Sequence, residues 1–414
     1  MTDSHEQKST VTSQEKSSEV KGRYSVSRVF PNGDIADMVY SKETGKGRFA
    51  VAQAEDGDIY LRDTLLIDED RNITDDSESA SEALIPTKTV GFLIDKNCAY
   101  LASNVEEYGT TQDLYQQIRS FIQTHVVLED TRFYDVATGY ILMTWVFDRF
   151  NTVPYLRVVG DLGTGKSRFL EVVGKLCYRS LLASGITTAS IYRTLDVVQG
   201  TLVLDEADFK SSDMSDDIVK VLNAGHRKDS PIIRMETVKD VMRPMPFRVF
   251  GPKLLGSRRF FSDTALESRC ITQRLFPLKK TGVSVHLPPT FDADAQTLRD
   301  RLLMFRFKNF HQIHDDESSL GGIEFPRLKQ TALALTSIVK MVGDETLKPV
   351  LEFLLDCEKS LLDTVSTDPI ADVLLCIARL IEFDARVKNT GQLYMHRIAQ
   401  EFNDRFYYDY AVRE

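Results

Sequence analysis

The octapeptide Gly160-Asp161-Leu162-Gly163-Thr164-Gly165-Lys166-Ser167 constrains this chain more than any other feature. It fits the spacing G-x-x-x-x-G-K-[ST], and its surroundings fit as well. PYLRVVG before it reads as a strand, and SRFLEVVGKLCYR, which begins at Ser167, reads as a helix. The glycines let the backbone turn tightly and aim its N–H groups at one point. The following helix presents the positive end of its dipole to the same point. Such a loop cradles phosphate oxygens. Lys166 is placed to reach the β- and γ-phosphates of a nucleotide, and Ser167 to put its hydroxyl on Mg²⁺, so ATP and Mg²⁺ are the implied cofactors.

One βα unit later, GTLVLDEAD runs from Gly200 to Asp208. Four apolar or β-branched residues end in Asp205 and Glu206, so two carboxylates emerge at a strand tip. Beside a phosphate loop, Asp205 is expected to hold the Mg²⁺ shell and Glu206 to polarise the attacking water. Asp208 reads as a helix N-terminal acid or a surface charge. From Val153 to about Phe276 strands and helices alternate, which predicts a parallel sheet covered by helices.

Further along come helix-like SDDIVKVLNAGHR, two strands around VKDVM, a strand ending in KLLGS, and the segment DTALESRCI. With the two acidic and glycine-rich motifs, this order resembles an AAA+ P-loop ATPase. It is similar to the branch holding MCM-type and superfamily 3 replicative helicases, in particular the uncharacterised helicase-like ATPases of phages, plasmids and other mobile elements. The resemblance covers about residues 110–310. It implies ATP hydrolysis between the subunits of a ring, most often a hexamer, that moves along DNA during replication. Ser257 matches the sensor-1 position, where Asn is usual. Arg269 matches the arginine finger, which reaches the γ-phosphate held by a neighbouring subunit; a surface or ion-paired arginine is the plain alternative. Arg299 or Arg301 is a candidate sensor 2, and a solvated helix face explains either equally well. In such relatives a hairpin points into the central pore. Here Lys239 is expected near its tip, flanked by Arg234 and Arg243, as a contact for single-stranded DNA; an ordinary exposed turn is the alternative.

The rest of the chain bounds this reading. The net charge is -10. Residues 1–85 hold 18 Asp/Glu and 10 Lys/Arg, whereas residues 227–280 hold 13 Lys/Arg and 5 Asp/Glu. A local basic stretch can hold phosphates even in an acidic chain, because distant charge is screened. Residues 1–22 hold almost no large apolar side chains and read as a disordered tail. Residues 23–108 read as a small β-rich module, with segments such as YSVSRVF, RFAVAQA and DIYLRDTLLI, the turn Pro31-Asn32-Gly33, and an acidic loop at Asp68 to Ala83. Residues 109–287 read as a helical lead-in followed by the ATPase core, and 288–414 as a helical lid. The fold expectation is thus α/β, a P-loop parallel sheet flanked by helices, between a β-rich N-terminal module and a helical C-terminal region. DPIADVLLCIARLIEF and LYMHRIAQEFNDRF read as two amphipathic helices separated by a short polar segment, either the start of a truncated winged-helix module or part of the lid. Trp145 reads as core, and His226 as a cap or surface residue.

The five cysteines, Cys98, Cys177, Cys270, Cys357 and Cys376, are scattered without a C-x-x-C pair. That argues against a disulfide framework and against a zinc site. With no long apolar run and a polar N-terminus, no membrane partner and a cytoplasmic location are expected. A non-helicase AAA+ ATPase that remodels a protein partner, in regulation or defence, is the alternative function. It would use the acidic β-rich module as its adaptor. Kinase chemistry on a small substrate has no acceptor-binding motif to support it.

Overall fold

In a computed structural model the described residues are 21–405, apart from 184–186, 206, 208–212, 239, 278–283, 285 and 367–368. The chain divides into two compact units, one ending at Val105 and the other beginning at Glu106.

The first unit is built from β1 (Lys21–Ser25), β2 (Ser27–Val29), β3 (Ile35–Ser41), β4 (Lys46–Ala52), β5 (Ile59–Arg62), β6 (Leu65–Ile67), β7 (Ile73–Thr74), β8 (Glu82–Pro86), helix α1 (Lys88–Asp95) and the short β9 (Ala99–Tyr100). One sheet is antiparallel, in the order β2-β3-β4-β5; the other runs β1-β8-β6-β7, with β1 and β8 parallel. Gly33 supplies the left-handed turn residue, at φ 94°, between β2 and β3. Ile35, Met38, Phe49 and Val51 are buried at the centre of the antiparallel sheet. The acidic loop contains β7, which pairs with β6.

The second unit opens with α2 (Thr111–His125) and α3 (Arg132–Thr144). Thr110 and Asp113 close a reciprocal capping box at the start of α2. Then follow β10 (Tyr155–Val159), α4 (Lys166–Gly174), β11 (Ser180–Ala183), α5 (Thr188–Val198), β12 (Leu202–Leu204), α6 (Asp213–Ala224), β13 (Ile232–Val238), β14 (Val241–Phe247), β15 (Lys253–Ser257), α7 (Thr264–Glu267) and β16 (Cys270–Arg274). Within this unit the order is β16-β10-β15-β12-β11, and every neighbouring pair is parallel. Strands β10 and β15 are buried along their whole length, which is why both read as runs without alternation. The chain is a mixed α/β structure with a parallel sheet and many helices.

Trp145 packs in the core and donates its indole N–H to the Leu176 carbonyl at 2.9 Å. The remaining helices are α8 (Phe291–Asn309), α9 (Pro326–Val342), α10 (Asp344–Ser366), α11 (Pro369–Phe383), α12 (Ala385–Thr390) and α13 (Met395–Arg405). Gly139 lets α3 cross α9 closely, since a Cβ there would stand 2.3 Å from Val339. The polar segment expected between the last two amphipathic helices is itself the short helix α12. Asp384 caps it, and Gly391 ends it in the left-handed region. Among the described residues no helix is long and apolar enough to cross a membrane.

Candidate active site

The chain leaves β10 at Val159, turns through Gly160 to Gly165, and enters α4 at Lys166. Each glycine has its own reason. A Cβ on Gly160 would lie 2.5 Å from the Leu275 carbonyl oxygen, so only glycine fits between β10 and β16. Gly163 and Gly165 adopt φ 79° and 89°, which a side chain would strain. The Thr164 hydroxyl donates to the Asp161 carbonyl at 2.9 Å and braces the turn. Leu162 is 82% exposed at the crest of the loop. The Lys166 ammonium donates to the carbonyls of Gly160 at 2.6 Å and Asp161 at 2.8 Å. Its charge therefore lies folded along its own loop.

Strand β12 brings Asp205 to the same place. The Ser167 hydroxyl donates to the Asp205 carboxylate at 2.5 Å, across 38 residues of sequence. The Ala207 N–H donates to the Gly256 carbonyl at 2.8 Å and holds the chain after β12 against β15. A cleft of 340 Å³ opens here, lined by Leu162 to Arg168, Asp205 and Arg258. That volume lies within the range of about 300–1,000 Å³ usual for small-molecule sites. A hydroxyl and a carboxylate form an all-oxygen pair, which suits Mg²⁺, a cation that takes its other ligands from water and phosphates. Glu206 lies outside the described residues.

Ser257 ends β15 directly between the phosphate-loop strand and the acidic strand, opposite Val159. Its backbone carbonyl accepts from Gly160 N–H at 3.1 Å. Its side chain is buried and donates to the Arg259 carbonyl at 2.9 Å. Arg258, the next residue, is exposed and lines the cleft, and sequence reasoning missed it.

Arg269 stands at the other end of the same strands. Its carbonyl accepts from Tyr155 N–H at the start of β10, whereas the phosphate loop follows the end of β10. The half-buried guanidinium donates through Nη1 to Asn223 Oδ1 at 2.6 Å and through Nε to His226 Nδ1 at 2.9 Å. That bond uses the Nδ1 lone pair, while the Asn223 carbonyl 3.0 Å from the same Nδ1 favours a proton there, so the two contacts compete for one nitrogen. Burial, then the Arg269 charge, push His226 down to about 4. His226 is only 8% exposed, so it is not a surface residue, and its contact with the Asn223 carbonyl in the last turn of α6 is the capping contact that was the other expectation for it. Burial, then Arg327, lower the Arg269 guanidinium from its usual value. Arg299 donates to the Lys175 carbonyl at 2.8 Å, and Arg301 pairs with Glu106 at 2.6 Å, so both brace α8.

Strands β13 and β14 form a hairpin with Val238 opposite Val241. Lys239 lies outside the described residues, and Asp240, just before β14, has φ 61°. Directly opposed residues share a face, and alternate residues change face. Arg234, Glu236 and Arg243 therefore lie on one face. Glu236 pairs with Arg193 of α5 at 2.6 Å, and Arg234 stands over the Tyr192 ring and 3.7 Å from Asp217. Arg234 is thus turned toward the body of the unit, while Arg243 remains exposed. The opposite face carries Ile233, Met235 and Met242, exposed to 65%, 56% and 67%.

No family model matches the sequence, and no curated protein matches it. Among solved structures the chain is similar to Cch of SCCmec type IV, described as an active helicase, at 9% identity and TM-score 0.41, over 89% of this chain and 81% of that one. It is similar to a full-length MCM homolog from Methanopyrus kandleri at 12% identity and TM-score 0.38, over 80% and 75% of the two chains. The C-terminal region of NrS-1 follows at 10% identity and TM-score 0.32, over 75% and 72%. Helicases are thus among its structural neighbours, and likeness at this level assigns a role to no residue.

Proposed function

We propose that this chain binds ATP with Mg²⁺ in the cleft at Gly160 to Ser167 and hydrolyses it as an AAA+ motor on DNA. The observation that carries the reading is the 2.5 Å contact between Ser167 and Asp205, which joins the lysine-bearing loop to an acidic strand tip. The backbone N–H groups of the loop and the start of α4 bind the phosphates. Lys166 exchanges its two carbonyl partners for phosphate oxygens. Ser167 and Asp205 hold the cation, which supplies charge neutralisation at the phosphates. Glu206, next to Asp205, orients the attacking water. The position of β15 between the two motif-bearing strands supports a sensing role for the segment that follows it, which opens at the cleft. Arg269 reaches the nucleotide of a neighbouring copy within a ring, and Lys239 with Arg243 follows a DNA strand.

A second reading has its own support. The exposed Ile233, Met235 and Met242 face of the hairpin suits a polypeptide better than a phosphate backbone, as in an AAA+ ATPase that remodels a protein partner. ATP hydrolysis measured with and without single-stranded and duplex DNA separates the two. The motor reading expects stimulation by DNA that disappears in Lys166→Ala. Turnover indifferent to DNA favours the remodelling reading, and absence of turnover in the assembled wild-type chain removes both.

A further inference from the structure

The residue at the expected sensor-1 position, Ser257, does not line the cleft. Ser257 is fully buried, and its hydroxyl is committed to the Arg259 carbonyl. Successive residues leaving a strand turn to opposite sides. Arg258 accordingly emerges on the side that Ser257 avoids and lines the cleft with Gly163 to Ser167 and Asp205. Strand β15 delivers it there because it runs between β10 and β12, so its end opens between the phosphate loop and the acidic tip.

The chain after Arg258 is anchored rather than loose. The Phe261 N–H donates to Glu267 at 2.9 Å, and the rings of Phe260 and Phe261 lie 5.1 and 4.5 Å from the buried Arg157 guanidinium. Arg157, in turn, forms a two-pronged ion pair with Glu267. The backbone on both sides of Arg258 is thus tied down, by β15 before it and by these contacts after it, at the cleft that its side chain lines.

We propose that Arg258 is the residue of this chain that contacts the terminal phosphate of the bound nucleotide in cis, taking the role that position would assign to Ser257. This rests on the ATP-binding reading of the same cleft. A guanidinium presents a planar fork that matches two phosphate oxygens at once, which neither a serine hydroxyl nor the single ammonium of Lys166 does. The contact exists only while a third phosphate is present, so Arg258 separates the triphosphate state from the diphosphate state.

The test is titration of fluorescent ADP and a slowly hydrolysed ATP analogue into full-length wild type, Arg258→Ala, Arg258→Lys, Ser257→Ala and Lys166→Ala. Arg258→Ala is expected to weaken the triphosphate by about 10- to 100-fold, the effect of losing a charge-assisted contact, with ADP nearly unmoved. Arg258→Lys recovers part of that loss. Ser257→Ala leaves the ratio of the two affinities at its wild-type value. Equal effects of Arg258→Ala on both nucleotides, or none on either, overturn the inference, as does a ratio moved by Ser257→Ala instead. Lys166→Ala separates this failure from a deeper one: if it leaves both affinities intact, the cleft is not the nucleotide site at all.

Discussion

His226 and Arg269 show how one buried neighbour sets the behaviour of another residue. The guanidinium donates to the imidazole, and burial with that positive charge keeps the ring neutral down to about 4. An unfolded histidine takes up its proton near 6.5. Between those values the unfolded chain binds more protons than the folded one, so stability is complete above about pH 6.5 and declines as pH falls toward 4. The loss amounts to at most about 3 kcal/mol. Urea unfolding of the second unit between pH 7 and 4 should show this slope, and His226→Gln should flatten it. An unchanged slope in that variant places the acid sensitivity elsewhere. At this scale the meeting of Ser167 with Asp205 was legible, because a glycine-rich strand–loop–helix and an acid-tipped parallel strand one βα unit later bring those two residues to the same end of the sheet. Arg258 was not, since an arginine after a strand carries no pattern of its own. The sequence placed Arg234 and Arg243 alike as flanks of the tip, and they do share a face; only the contacts of Arg234 with Tyr192 and Asp217, which no pattern shows, turn it toward the body of the unit while Arg243 stays exposed.

Elements are held in place by groups that their own sequence does not advertise. Lys253 begins β15 and is fully buried, with its amine donating to the carbonyls of Val249 at 2.8 Å and Gly251 at 2.7 Å. Tyr140 of α3 donates to the Lys253 carbonyl at 2.8 Å, so helix and strand meet at one residue. Lys253→Met keeps the apolar stem but leaves those carbonyls unpaired, and should destabilise the unit by about 1–3 kcal/mol in chemical denaturation. A midpoint within error of wild type would mean that water replaces the amine. The strand–loop–helix around the glycines was readable because its turn residues punctuate two apolar runs. Helix α12 was hidden because six residues, with only Ala385 and Val387 apolar, are too few to show a helical stripe; Asp384 before it and Gly391 after it were the available signals.

At the scale of the whole molecule, net charge and length left partners open, and the sheet supplies what they lack. The glycine-rich loop Gly160 to Gly165 follows the C-terminal end of β10, while Arg269 stands at the N-terminal end. Five residues of strand keep them roughly 17 Å apart along the backbone. On the proposed reading, Arg269 cannot serve its own site. Arg269→Ala and Lys166→Ala should each be inactive alone, yet a mixture should regain part of the ATPase activity, because one variant contributes the loop and the other the arginine. No recovery in mixtures that co-assemble would remove Arg269 from the reaction. On that same reading the chain carries a donor end and an acceptor end fixed by strand direction, so copies would meet productively only head to tail. Contacts of that kind either close into a ring or run on as a filament, and the rotation between neighbours decides which. The direction of five parallel strands thereby becomes the polarity of an assembly.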